Sequence, residues 1–110
     1  MNNETLQNKV IWITGAAKGI GKAIADNLKP TGATLILSSS SHESIKKIMP
    51  DFAQYPKVFF FPFDLRSQEA ITRTFQKINL SIGKIDFLIN NAGIGKFASF
   101  TELSTDDMNN

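Results

Sequence analysis

This chain of 110 residues contains no cysteine, which excludes disulfides, thiol nucleophiles and cysteine-ligated zinc sites. Its one histidine, His42, cannot form a histidine cluster for a metal and reads as a solvated loop or first-turn side chain. No apolar segment approaches the roughly 20 residues needed to span a bilayer as a helix. The first residues, Met1-Asn2-Asn3-Glu4-Thr5, are polar and lack the charged-then-apolar build of a secretory signal. A basic run is missing too: 12 Lys and Arg against 10 Asp and Glu give a net charge of +2, scattered along the chain. Nothing there would track a phosphodiester backbone. These absences predict a soluble cytoplasmic protein with neither a nucleic-acid nor a membrane partner.

What is present is the composition of a globular domain, with 42% hydrophobic and 20% charged residues. A chain of this length makes about one domain and buries about two-thirds of its unfolded surface. Apolar strand-like runs alternate with helical patterns. Strands are expected over 9–14, 33–37, 58–63 and 85–89. Helices are expected over 19–28, stopped by Pro30 and Gly32, over 43–49, ended by Pro50, and from an N-cap at Ser67 with Ala70, Ile71, Thr74, Phe75 and Ile78 on one face. Such alternation implies βαβ units and a parallel sheet covered on both faces, which explains strands that are apolar throughout. Pro62 cannot donate to a strand ladder and belongs on an edge. In the doubly wound order 3-2-1-4, the third strand is that edge. The expected fold is therefore α/β, a Rossmann-type doubly wound parallel sheet.

The most informative stretch is Thr14-Gly-Ala-Ala-Lys-Gly-Ile-Gly21, between the first strand and the first helix. A glycine-rich turn there presents free backbone N–H groups to a pyrophosphate. The glycines at 15, 19 and 21 depart from the G-x-G-x-x-G spacing of the general dinucleotide fingerprint. A Walker phosphate loop fails, because its Gly-Lys-Ser/Thr would have to begin where Ile20 stands, and Ala23 follows Lys22. A plain loop cluster of glycines is the competing reading of this turn.

Two further segments follow strands: Phe63-Asp64-Leu65 and Asn90-Asn91-Ala92-Gly93. With the glycine turn, and in this order, they resemble the short-chain dehydrogenase/reductase family from about Leu6 onward. The resemblance implies that Gly15, Gly19, Ile20 and Gly21 cradle a pyrophosphate. It implies that Asp64 accepts from an adenine amino group beside the backbone of Leu65. Asn90, Ala92 and Gly93 would pass beneath a ribose, with an asparagine of the motif bracing the sheet. Asp64 also suits a cap for the third helix, and Asn90-Asn91 suits an ordinary turn.

For the cofactor, an NAD-preferring protein would place an acid about 20 residues past the glycines to hold the ribose 2′-hydroxyl. Here the second strand runs into Ser38-Ser39-Ser40-Ser41 with no acid before Glu43. Lys18 resembles the basic residue that NADP-preferring members set against the 2′-phosphate, and Ser39 and Ser40 offer hydroxyl donors. NADP is therefore expected, with NAD as the alternative. Lys18 also reads as a solvated loop lysine.

The family's catalytic set, a Ser and a Tyr followed four residues later by Lys, is not assembled here. The sole tyrosine, Tyr55, has Phe59 four positions on. Asn109 and Asn110 fall too early in a helix expected from Ser104 to serve as the family's helical asparagine. The chain ends just after that helix starts. The expectation is thus a cofactor-binding fragment, 1–110, of an oxidoreductase acting on a small-molecule carbonyl or alcohol, inactive alone and homo-oligomeric at full length. The alternatives are a non-catalytic dinucleotide-binding module and, from another class, a Rossmann-type methyltransferase.

Overall fold

In the computed structural model, residues 6–91 are described. The first strand, β1 (Val10–Thr14), is buried at every position and forms the spine of the sheet. It pairs in parallel with β2 (Thr34–Ser38) on one side and β4 (Phe87–Asn90) on the other, and β3 (Val58–Phe60) pairs with β2. The order is β3-β2-β1-β4, as the placement of Pro62 predicts. Three helices connect the strands: α1 (Gly19–Leu28), α2 (His42–Ile48) and α3 (Gln68–Ser81).

Each face of the sheet carries its own core. Ile11, Ile13, Leu35 and Leu37 point to one side and meet Ala25 and Leu28 of α1 and Ile45 of α2. Trp12 and Ile36 alternate to the other side, where Ile71, Phe75 and Ile78 of α3 cover them. Trp12 is fully buried, and its indole N–H donates to Ser38 Oγ at 2.9 Å, which satisfies the polar atom of the largest core side chain. The inner strands thus fit the expectation of strands buried on both faces, while β3 and β4 are partly exposed.

Several boundaries shift for identifiable reasons. β4 begins at Phe87 rather than 85 because the Asp86 carboxylate accepts the Val10 N–H at 2.8 Å, taking the place of a ladder carbonyl. β3 is shorter than 58–63, yet Phe61 and Phe63 still donate N–H groups to Leu37 and Ser39. Pro62 lies between these two donors, where its own nitrogen would face the open edge. β2 runs one residue later than expected, to Ser38. α2 starts at His42 because Ser41 caps it, and Pro50 enters the 3-10 turn Met49–Phe52 that follows. α1 keeps its expected bounds and continues into a 3-10 turn, Lys29–Thr31, which Gly32 closes in the left-handed region. The helix expected from Ser104, with Asp107, Asn109 and Asn110, lies outside the described residues.

Candidate functional site

The register of the sheet sets Thr14, Ser38 and Asn90 side by side at the carboxyl ends of β1, β2 and β4. The segments that follow them therefore gather at one end of the sheet. The chain leaves β1 toward β2 through α1 and reaches β4 on the other flank, so this end is also the point where strand order reverses. Open α/β sheets bind ligands at such a point.

The glycine turn owes its shape to three glycines with two different reasons. Gly15 and Gly19 have φ of +64° and +54°, in the left-handed region that side chains disfavour. Gly21 is constrained by space: a Cβ there would lie 2.1 Å from the Gly15 carbonyl oxygen and 2.7 Å from Asn91 Nδ2. The first turn of α1 consequently packs directly on the turn leaving β1. Asn91 Nδ2 donates to Gly15 O at 3.3 Å, and Thr14 Oγ1 donates to Asn90 Oδ1 at 3.0 Å. Both asparagines thus tie β4 to the end of β1.

The amino end of α1 is open. Lys18 is its N-cap residue, in an extended conformation, with no side-chain capping bond and no acid in the first turn. Lys18 is exposed, and Ile20 beside it is 71% exposed. Free N–H groups, the positive end of the helix dipole and an exposed lysine are chemically suited to an anion.

The segment after β2 is anchored rather than loose. Ala16 N–H donates to Ser38 O at 3.1 Å, and Phe63 N–H donates to Ser39 O at 3.1 Å. Ser39 Oγ accepts from Ser41 N–H, and Ser40 Oγ accepts from the Leu65 N–H at 3.0 Å. Asp64 does not cap α3. That position is filled by Ser67, whose hydroxyl accepts from Ala70 N–H, while Asp64 Oδ1 accepts from Arg66 N–H at 2.9 Å and shapes the turn. Asp64 and Leu65 therefore sit beside Ser40 at the same end of the sheet.

The residues expected to act together do converge: Gly15, Lys18, Gly19, Ile20, Gly21, Ser39, Ser40, Asp64, Leu65 and Asn90 surround the carboxyl ends of the strands. Ala92 and Gly93 lie outside the described residues. Tyr55 stands at the opposite end, where its carbonyl accepts the Val58 N–H ahead of β3. Thr14 and Ser38 had no expected role. Their only sequence signal was a hydroxyl at the end of an otherwise apolar strand.

A cluster of charges borders α1 away from this end. Lys22 Nζ lies 2.6 Å from Asp26 and 3.1 Å from Asp51, and Lys29 bridges Asp26 at 3.2 Å. The hydrogen bond to Asp26 holds the Lys22 ammonium above its ordinary pKa, with Asp51 adding to it against a cost of burial. Burial pushes the Asp26 carboxyl up, but bonds and charge from Lys22 and Lys29 outweigh it and leave the group below its ordinary value. Lys22 is so occupied, whereas Lys18 is the exposed N-cap residue of the same helix. Among the described residues no cluster of metal-ligating side chains occurs, and no helix is long and apolar enough to cross a membrane.

The family described as short chain dehydrogenase matches residues 9–110. Over 101 residues the chain is 37% identical to the 3-oxoacyl-[acyl-carrier-protein] reductase FabG of Aquifex aeolicus, covering 90% of this chain and 41% of that protein. It is 37% identical over 91 residues to a fatty acyl-CoA reductase of Acinetobacter baylyi, covering 82% of this chain and 31% of the relative. Among solved structures, the oxidoreductase yciK from E. coli superposes with a TM-score of 0.75 at 26% identity, covering 86% of this chain and 40% of that one. YwfH, an NADPH-dependent reductase involved in bacilysin biosynthesis, superposes with a TM-score of 0.71 at 33% identity, covering 77% and 37%. The chain belongs to the short-chain dehydrogenases, and it spans well under half the length of these relatives.

Proposed function

We propose that residues 1–110 are the nicotinamide-dinucleotide-binding part of a cytoplasmic short-chain dehydrogenase/reductase that prefers NADP and acts on a small carbonyl or alcohol. The observation that carries this reading is the open amino end of α1, with Lys18 beside it and Ser38-Ser39-Ser40, not an acid, at the end of β2. The donor set fits a diphosphate: Gly15, Gly19 and Gly21 let the backbone approach it, and no first-turn carboxylate repels it. Ile20 shields it from water. Lys18, Ser39 and Ser40 would hold a 2′-phosphate, where an acid would repel one. Asp64 would accept from the adenine amino group beside the Leu65 backbone, and Asn90, Ala92 and Gly93 would line the ribose.

When bound, the nicotinamide supplies or accepts the hydride. Proton transfer to or from the substrate oxygen needs a tyrosine–lysine pair that these residues do not provide, so the chain alone should bind but not turn over. The chain covers well under half the length of its relatives, which leaves room for that chemistry and a substrate pocket in sequence beyond it, and the proposal extends to a homo-oligomer at full length. A second reading is a non-catalytic dinucleotide-binding module. It is favoured by the position of Tyr55, the sole tyrosine, at the far end of the sheet from the glycine turn.

Competitive titration of NADPH, NADH and S-adenosylmethionine into the chain tests the proposal. One charge-assisted hydrogen bond to the 2′-phosphate is worth about 1.5–3 kcal/mol, so NADPH should bind roughly ten- to hundredfold more tightly than NADH. Preferential binding of S-adenosylmethionine would overturn the oxidoreductase reading. Assaying ketones and secondary alcohols separates the two halves of the claim, since normal enzymatic turnover by the 110-residue chain would contradict its dependence on further sequence.

A further inference from the structure

Trp12 and Ser38 are both fully buried, and each bonds the other: the indole N–H donates to Ser38 Oγ at 2.9 Å. Trp12 lies in the middle of β1, opposite Ile36, and Ser38 is the last residue of β2. The bond therefore runs from the middle of one strand to the end of the next. Packing alone requires neither polar atom, because a phenyl ring at 12 over a methyl group at 38 would match the apolar core around them. Exchanging both partners of a buried hydrogen bond for apolar groups is nearly neutral for stability, whereas removing one partner strands the other. The pair thus adds little net stability, and what it fixes is a position.

The surroundings show which position. The Ser38 carbonyl accepts from the Ala16 N–H of the glycine turn, and the Ser39 carbonyl accepts from the Phe63 N–H, each at 3.1 Å. The Phe63 ring lies 6.2 Å from the Trp12 ring, tilted by 47°. One indole thus holds Ser38 through its N–H and packs against Phe63, which in turn holds Ser39. We propose that Trp12 and Ser38 are positioning residues that set the preference for NADP. Their buried bond fixes the end of β2, from which Ser39 and Ser40 reach the 2′-phosphate. The inference rests on the proposed dinucleotide site and assigns no ligand contact to either residue. Ser38→Ala isolates the effect, because it keeps the indole, its packing on Phe63 and both backbone bonds. The glycine turn and the Asp64 turn, which NADPH and NADH would share, stay in place while the 2′ contacts shift.

The test compares the unaltered chain with Ser38→Ala, Trp12→Phe and the double variant by calorimetric titration with NADPH and NADH and by thermal melts. The indole N–H resonance is followed as well, a single signal because Trp12 is the only tryptophan. Ser38→Ala should weaken NADPH about three- to tenfold, the worth of one hydrogen bond, and NADH less than about twofold. It should also shift the indole resonance and lower the melting temperature. The double variant should melt no lower than Trp12→Phe alone, since it leaves no polar group unpaired, yet it should still lack the full preference for NADPH. That split separates positioning from packing. A double variant that regains the preference would overturn the proposal. So would an unchanged ratio of NADPH to NADH affinity in Ser38→Ala, or an unmoved indole resonance. Should Ser38→Ala fail to fold, the double variant decides the comparison. If the unaltered chain shows no preference for NADPH, the cofactor reading itself fails, and this inference falls with it.

Discussion

The three helices begin in two different ways. α2 and α3 each start at a serine, Ser41 and Ser67, whose hydroxyl accepts an N–H three residues on, and each has a glutamate in its first turn, Glu43 and Glu69. α1 starts at Lys18, with no side-chain cap and no acid. The same orphan donors are closed by the protein at two helices and left open at the third. The open one follows the glycine turn at the point where strand order reverses. An uncapped helix end forgoes about 0.5–2 kcal/mol that a serine would contribute. Among the described α-helices, α1 alone forgoes that contribution, and it does so where the proposed function needs free N–H groups for a ligand.

The largest expected effect comes from closing the space that lets α1 reach the turn. Gly21→Ala places a methyl group 2.1 Å from a backbone oxygen, so the helix or the turn must move. The variant should lose about 1–3 kcal/mol of stability. For a domain of this size that lowers the melting temperature by about 4–8 °C per kcal/mol. Unchanged melting would show that the first turn is not packed as described.

Next comes a substitution that makes α1 resemble its neighbours. Lys18→Asp puts a capping carboxylate at an extended N-cap position. Thermal melts should show a gain of about 0.5–2 kcal/mol, while calorimetry should show NADPH affinity falling by roughly tenfold or more, a charge-assisted bond being lost. Ser67→Ala should do the reverse, with a stability loss of about 0.5–2 kcal/mol and unaltered affinity. If both variants moved stability and affinity in the same direction, the distinction between the helix ends would collapse.

The smallest effect is expected at the charges along α1, which hold the helix but lie away from its open end. The Asp26 carboxyl titrates below its ordinary value of 3.8, so its contribution is present above that pH and is lost as pH falls through the lowered folded value. The Lys22 ammonium titrates above 10.5, so its contribution is present below that pH and fades as pH rises through the raised folded value. Asp26 is partly exposed, and Asp26→Asn should cost about 1 kcal/mol or less at neutral pH. Melting curves of the two proteins should converge well below pH 3.8.

The contrast between helix ends was only half legible in the amino-acid order. The glycines, Pro62 and the serine before α3 are local signals, and each constrains the backbone wherever it occurs. Strand order, α1 and the Ser67 cap follow from them. The N-cap of α2 did not stand out in a run of four serines, any of which could start a helix. The displacement of β4 depended on Asp86 reaching Val10, a contact 76 positions apart in the chain. The bonds from Asn91 to Gly15 and from Leu65 to Ser40 are of the same kind. Spacing brings such residues to one end of the sheet, but only the packed fold decides which donor meets which acceptor.

The central claim is that the open end of α1, rather than a capped one, receives a nucleotide diphosphate. Amide spectra of the isotopically labelled chain during NADPH titration test it most directly. The account predicts shifts centred on Gly15 and on Gly19, Ile20 and Gly21, extending to Ser39, Ser40 and Leu65, with the first turns of α2 at Glu43 and Ser44 and of α3 at Glu69 and Ala70 unmoved. No saturable shift at 19–21, or shifts centred on either capped helix start, would contradict it.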